Sequence, residues 1–149
     1  MVQSCATYDS ERELVDEFTR ALSDDIGLWG SVAFAQEFYY VRGRTDVVAL
    51  TADGAVLAFE AKLLNWKGAL HQAYRNTCFA HESYVVLPCN VARRAISSDA
   101  EFTRRGVGLC TLEGGLLKII HPARKTRPLQ NWLSQRATAH ISGEKARDC

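Results

Sequence analysis

Residues 44–62 read RTDVVAL, TADGA, VLAFEAK, two apolar runs joined by a short turn. That pattern predicts two strands of a hairpin. Ala52-Asp53-Gly54 suits a three-residue loop, a type I turn followed by Gly54 in the left-handed region. Such a loop pairs Thr51 with Ala55, so opposing residue numbers sum to 106 and Asp46 faces Glu60. A two-residue Asp-Gly turn would move the sum to 107 and flip Asp46 to the other face. Glu60 and Lys62 are two apart and share a face on a strand. In the first register two carboxylates and a lysine therefore meet on an apolar ribbon. Adjacent carboxylates repel, and burying them is costly unless a cation compensates. The structural alternative is an Asp46–Lys62 or Glu60–Lys62 ion pair on a half-exposed sheet face.

The remainder of the 149-residue chain predicts one domain around that hairpin, large enough for a real core. About half of it is apolar and a quarter charged, the balance of an ordinary globular protein. No basic start leads into an apolar leader, and the longest charge-free apolar stretch, residues 26–36, is too short to span a bilayer. A soluble, cytoplasmic protein is expected, with no membrane partner and no organic cofactor. The five cysteines are scattered, without C-x-x-C, and read as reduced, mostly buried thiols. Cys78, His81 and Cys89 lack a fourth partner for zinc. Net charge is +1 with an uneven distribution, because six Lys/Arg face two Asp/Glu from His121 onward. That segment suits either a phosphate-contacting arm or a solvated tail.

In chain order, Ser10 and Glu13 form a capping-box signature opening a helix over 11–23, with Leu14, Phe18, Ala21 and Leu22 at helical spacing. Glu11 falls at the head of that apolar stripe. It is either a ligand of the site or a first-turn acid favoured by the helix dipole. Residues 31–41 are strand-like, and Arg42-Gly43-Arg44 turns into the hairpin, its arginines flanking the carboxylates. Residues 65–80 predict a helix with Trp66, Leu70, Ala73, Thr77 and Ala80 on one face and Gln72, Arg75, Asn76 and Phe79 on a more polar one. The uninterrupted run SYVVLP at 83–88 is typical of a buried parallel strand. Strand, helix, strand in about thirty residues makes a right-handed crossover. A charged helix over 92–105 ended by Gly106, strands at 108–112 and 116–120, and a terminal helix over 128–139 packing Trp132 and Leu133 complete an α/β chain. Its mixed sheet is expected to carry helices on both sides.

An α-β-β-β-α-β order with D-x(13)-E-x-K across its central hairpin resembles the PD-(D/E)XK, or restriction-endonuclease-like, superfamily. The matching residues are Asp46 in RTDVVAL and Glu60-Ala61-Lys62 in FEAK. Gln72 in ALHQAYRN resembles a glutamine that many members carry. SERELVDEF is similar to helix one of archaeal-type Holliday-junction resolvases, where a glutamate at the Glu11 position completes the metal site. The likeness covers residues 10–90, the expected nuclease-like core, and 91–149 match only in style. Thr45 stands where proline is common. Asn76 stands where RecB-type exonucleases carry the tyrosine of Q-x-x-x-Y, which disfavours that branch.

The resemblance implies a Mg²⁺-dependent endonuclease acting on DNA, with Mn²⁺ as a substitute. Asp46, Glu60 and Glu11 would hold metal, helped by the Ala61 carbonyl. Lys62 would position or deprotonate the attacking water or stabilise the phosphorane, and Gln72 would bind that water or a phosphate oxygen. Arg42, Arg44, Lys67 and Arg75 would contact substrate, and a homodimer is expected by analogy with enzymes that cut two strands. Two alternatives remain at this level: a silent nuclease-fold module binding DNA or a protein partner, and an unrelated α/β domain whose charged trio is structural.

Overall fold

The structure, a computed structural model, describes residues 5–24 and 27–147. Six strands form one sheet in the order β1 to β6: β1 (Ala33–Tyr40), β2 (Gly43–Leu50), β3 (Val56–Ala61), β4 (Glu82–Val86), β5 (Gly108–Glu113) and β6 (Leu116–His121). β3–β4 and β4–β5 are parallel and the other pairs antiparallel. Every residue of β3 and β4 is buried, as two-sided helix cover of a central parallel pair requires.

Helix α1 (Glu11–Asp24) covers one face. Ser10 Oγ accepts the Glu13 N–H at 3.2 Å, and the Glu13 carboxylate reaches back one residue further than a capping box does, to the Asp9 N–H. Leu14, Phe18 and Leu22 of α1 pack on Val47, Leu57, Phe59, Tyr84 and Val86. The opposite face is covered by α2 (Trp66–Asn76), α3 (Cys89–Ala95), α4 (Asp99–Arg105) and α5 (Asn131–Arg147). Asn65 caps α2, its Oδ1 accepting the Gly68 N–H at 3.0 Å.

Three expectations need correction. The helix expected over 92–105 begins at Cys89 and is broken by a 3-10 turn at Ile96–Ser98, where Ser97 Oγ bonds the Arg94 carbonyl and competes with the helical ladder. In α5, Leu133, Ala137 and Ile141 form the buried stripe, whereas Trp132 is 54% exposed, because the i, i+4, i+8 spacing excludes it. Finally, Cys5 and Cys89 are joined as a disulfide, so they are not reduced thiols and Cys89 is not a zinc ligand. Sequence separation hid this pair, 84 residues apart. Cys78 and Cys110 are free thiols, and Cys149 lies outside the described residues.

Candidate metal and phosphate site

The hairpin turn is built as its residues dictate. Gly54 adopts φ +90°, the Thr51 N–H donates to the Ala55 carbonyl at 2.9 Å, and Thr51 Oγ1 accepts the Ala55 N–H at 2.9 Å. Asp53 accepts from the Thr51 hydroxyl. Pairing beyond the turn runs Leu50–Val56, Ala49–Leu57, Val48–Ala58, Val47–Phe59. Opposing numbers sum to 106, which sets Asp46 against Glu60.

The ladder stops at Val47–Phe59, and there the strands part. The next N–H of β3, that of Ala61, donates to Asp46 Oδ2 at 2.9 Å instead of to a β2 carbonyl. Asp46 therefore lies in the gap between β2 and β3, beside the Glu60 carboxyl. Glu60 is 2% exposed. Its ordered donor is the Asn76 amide, 3.0 Å from Oε1. Burial first, and then the Asp46 carboxylate, push the Glu60 carboxyl up to about 8, with the Asn76 hydrogen bond opposing them.

Asn76 is the residue that the sequence reading passed over. It ends α2, is buried, and its Oδ1 accepts from Tyr40 Oη at 2.7 Å and from Thr45 Oγ1 at 2.9 Å while its Nδ2 serves Glu60. Tyr40, Thr45, Asn76 and Glu60, from four different elements, thus satisfy one another at the carboxylate pair. The signal was its place one helical turn after Gln72, on the same face. Gln72, the residue expected to serve the site, is not the partner of Glu60, and its Oε1 is buried without a hydrogen-bond partner.

A second missed residue is Glu37. Its φ of +56° makes it the one left-handed non-glycine among the described residues. Such a backbone costs about 1–2 kcal/mol. The β1–β2 pairing keeps a constant sum of 83 on either side of it, so Glu37 lies opposite Asp46 without shifting the register. It does break the alternation of faces. Ala35 and Phe38, three apart, both pack toward α5, and Val48 and Thr45 of β2 do the same toward α5 and α2. The kink is braced from α5, where His140 Nε2 donates to the Gln36 carbonyl at 2.8 Å. Strict alternation would have set Asp46 on the face shared by Val48. Asp46 instead lines a cavity with Glu11 and Val15 of α1.

Around this point Lys62 Nζ lies 3.7 Å from Glu11 Oε1. Arg44 bridges two carboxylates, with Nη2 3.2 Å from Asp46 Oδ1 and Nη1 3.6 Å from Glu37 Oε1. A cavity of about 160 Å³ opens here, lined by Glu11, Gln36, Glu37, Arg44 and Asp46 among others. The expected metal set is thus brought together in part. Asp46 and Glu60 touch, whereas Glu11 is turned to Lys62, and no three His, Cys, Asp or Glu form a metal-ready group among the described residues.

The expected substrate contacts divide. Arg42 is exposed at the β1–β2 turn, and Arg44 is held on Asp46. Arg75 is largely committed to structure. Its Nη1 donates to the Arg42 carbonyl at 2.8 Å, and its guanidinium lies where any Cβ at Gly43 would meet it, at 3.3 Å. Lys67 is exposed on the first turn of α2 over the Trp66 ring, away from the cavity lining. A larger cleft, about 740 Å³ and lined by Trp29, Asp53, His81, Lys125 and Arg127, lies at the other end of the strands. Its carboxylates, Asp53 and Glu82, are each engaged within the fold, Asp53 by the Thr51 hydroxyl and Glu82 by Tyr84 Oη. The small cavity is the chemically loaded one.

No family model and no curated protein matches the chain. Among solved structures it is similar to the SPO1766 protein of unknown function from Silicibacter pomeroyi, with a TM-score of 0.63 and 15% identity over 87% of this chain and 84% of that one. At that identity the likeness concerns the fold alone, a mixed α/β sheet flanked by helices.

Proposed function

We propose that this protein is a Mg²⁺-dependent phosphodiesterase with a restriction-endonuclease-like core, hydrolysing DNA at the Asp46–Glu60 pair. The observation that carries the reading is the buried contact of two carboxylates in the β2–β3 gap, with Lys62 two residues beyond Glu60. An all-oxygen donor set of Asp46, Glu60 and the Ala61 carbonyl fits Mg²⁺, and a divalent ion would offset both the burial and the Asp46 repulsion that push the Glu60 carboxyl upward. Such an ion, when bound, supplies charge stabilisation to the attacked phosphate.

The protein's own groups have separable tasks. Asn76 fixes the Glu60 carboxyl and is itself fixed by Tyr40 and Thr45. Glu11 holds the Lys62 ammonium at the mouth of the site, where it orients the attacking water and donates to a non-bridging phosphate oxygen. Arg42, exposed at the adjoining turn, contacts the flanking backbone phosphates.

A second reading, a silent DNA- or protein-binding module, draws on one feature: both Asp46 oxygens are already engaged, by Arg44 and by the Ala61 N–H. Nicking of supercoiled plasmid across a Mg²⁺ and Mn²⁺ titration, with Asp46→Asn as control, separates the two. Metal-dependent nicking lost in Asp46→Asn is expected. DNA retention without nicking favours the silent module, and absence of both, together with no Mn²⁺ uptake, sinks the nuclease-fold reading.

A further inference from the structure

We propose that Arg44 is a built-in counterion that occupies Asp46 when no metal is bound, and that Glu37 is the carboxylate on which Arg44 parks when metal takes its place. The inference rests on the metal-dependent reading above and adds a positioning pair to it. Arg44 was expected to contact substrate. Instead its two terminal nitrogens divide between carboxylates on neighbouring strands, Asp46 at 3.2 Å and Glu37 at 3.6 Å.

Three features suit that exchange. Arg44 is about half exposed whereas Asp46 is mostly covered, so the guanidinium can swing without unpacking the core. Glu37 stands opposite Asp46 across the β1–β2 ladder in the left-handed backbone, and α5 braces the carbonyl just before it through His140. Finally, the cavity lined by Glu37, Arg44 and Asp46 leaves room for the movement. Without Arg44 the Asp46 and Glu60 carboxylates would face each other with only neutral donors to hold them. With it, the metal-free site has a cation, and an entering metal competes with that cation rather than with solvent alone. Once displaced, Arg44 keeps an ion pair only because Glu37 is there.

The expected consequences have opposite signs. Removing Arg44 removes the competitor, so divalent binding tightens, by about threefold for a partly screened pair. Removing Glu37 strands the displaced arginine, so binding weakens by a similar factor. If Glu37 acts through Arg44, its effect vanishes once Arg44 is gone. If each charge merely adds to the local field, the two shifts add.

The test is Mn²⁺ titration of the full chain, following the spin-resonance signal of free Mn²⁺, for wild type, Arg44→Gln, Glu37→Gln, the double variant and Asp46→Asn. Melts in chelator confirm folding, and Arg44→Met, which keeps the aliphatic stem, replaces Arg44→Gln should that variant melt early. Tighter binding in Arg44→Gln, weaker in Glu37→Gln, and a double variant equal to Arg44→Gln are expected. Unchanged or weaker binding in Arg44→Gln, or additive shifts in the double variant, overturns the exchange while leaving the nuclease reading intact. Wild type without Asp46-dependent Mn²⁺ uptake removes the proposed function itself, and the exchange with it.

Discussion

Glu60→Gln should make the metal-free protein more stable at alkaline pH and leave it nearly unchanged in acid. The Glu60 carboxyl is pushed from its ordinary 4.5 up to about 8, by burial first and by Asp46 second. A carboxyl raised on folding keeps its proton in the native state longer than in the unfolded one. Stability is therefore unaffected below about pH 4.5, falls as pH rises through the window, and levels off above about pH 8. A shift of that size corresponds to at most about 5 kcal/mol, which relaxation and water entry reduce to roughly 2–3 kcal/mol. Glutamine has the shape of the protonated acid. Its carbonyl can accept the Asn76 N–H as Oε1 does, and its amide can donate to Asp46. Melting both proteins in chelator at pH 5 and pH 8.5 should show Glu60→Gln ahead by roughly 5–10 °C at the higher pH only. Because the comparison is between two proteins sharing all four histidines, other titrations cancel. Mg²⁺ should close the gap by stabilising wild type. A Glu60→Gln protein that is equally or less stable at pH 8.5 would refute the frustrated-carboxylate account and favour a structural ion pair.

Asn76→Ala removes the shared partner of Tyr40, Thr45 and Glu60, and should cost about 2–4 kcal/mol in urea unfolding. Glu37→Gly should leave stability within about 1 kcal/mol of wild type, whereas Glu37→Val should lose more than about 1 kcal/mol, because a β-branched residue tolerates φ +56° poorly. Gly108→Ala places a methyl group 2.4 Å from the Tyr84 ring and 2.6 Å from the Ala123 nitrogen, so a loss above about 2 kcal/mol is expected in thermal melts.

Much of this was legible in the chain, and for local reasons. The element order, the bounds of α1, and the parallel character of β3 and β4 follow from apolar period and from turn residues acting within a few positions of themselves. The Lys62–Glu11 pair was half legible, since Glu11 stood out as an acid at the head of an apolar stripe but its partner is 51 residues away. Gln72 drew attention through its likeness to a family pattern, while Asn76, four residues on, makes the contact. The disulfide between Cys5 and Cys89 carried no spacing signal at all.

What the sequence determined by itself is the register. Thr51, Asp53 and Gly54 close their own loop with hydrogen bonds reaching no further than Ala55, and every pairing back to Val47 and Phe59 follows by counting, which leaves Asp46 and Glu60 next in line. What the tertiary structure alone decided is how the resulting charges are settled: Asn76 beneath Glu60, Arg44 shared between Asp46 and Glu37, and the left-handed kink braced by α5. A turn is a contest among neighbouring dihedrals, so its outcome is written in a few adjacent residues. The compensation of a buried charge depends on which groups the packed helices and strands bring within about 3–4 Å, and those distances exist only once the whole sheet has closed.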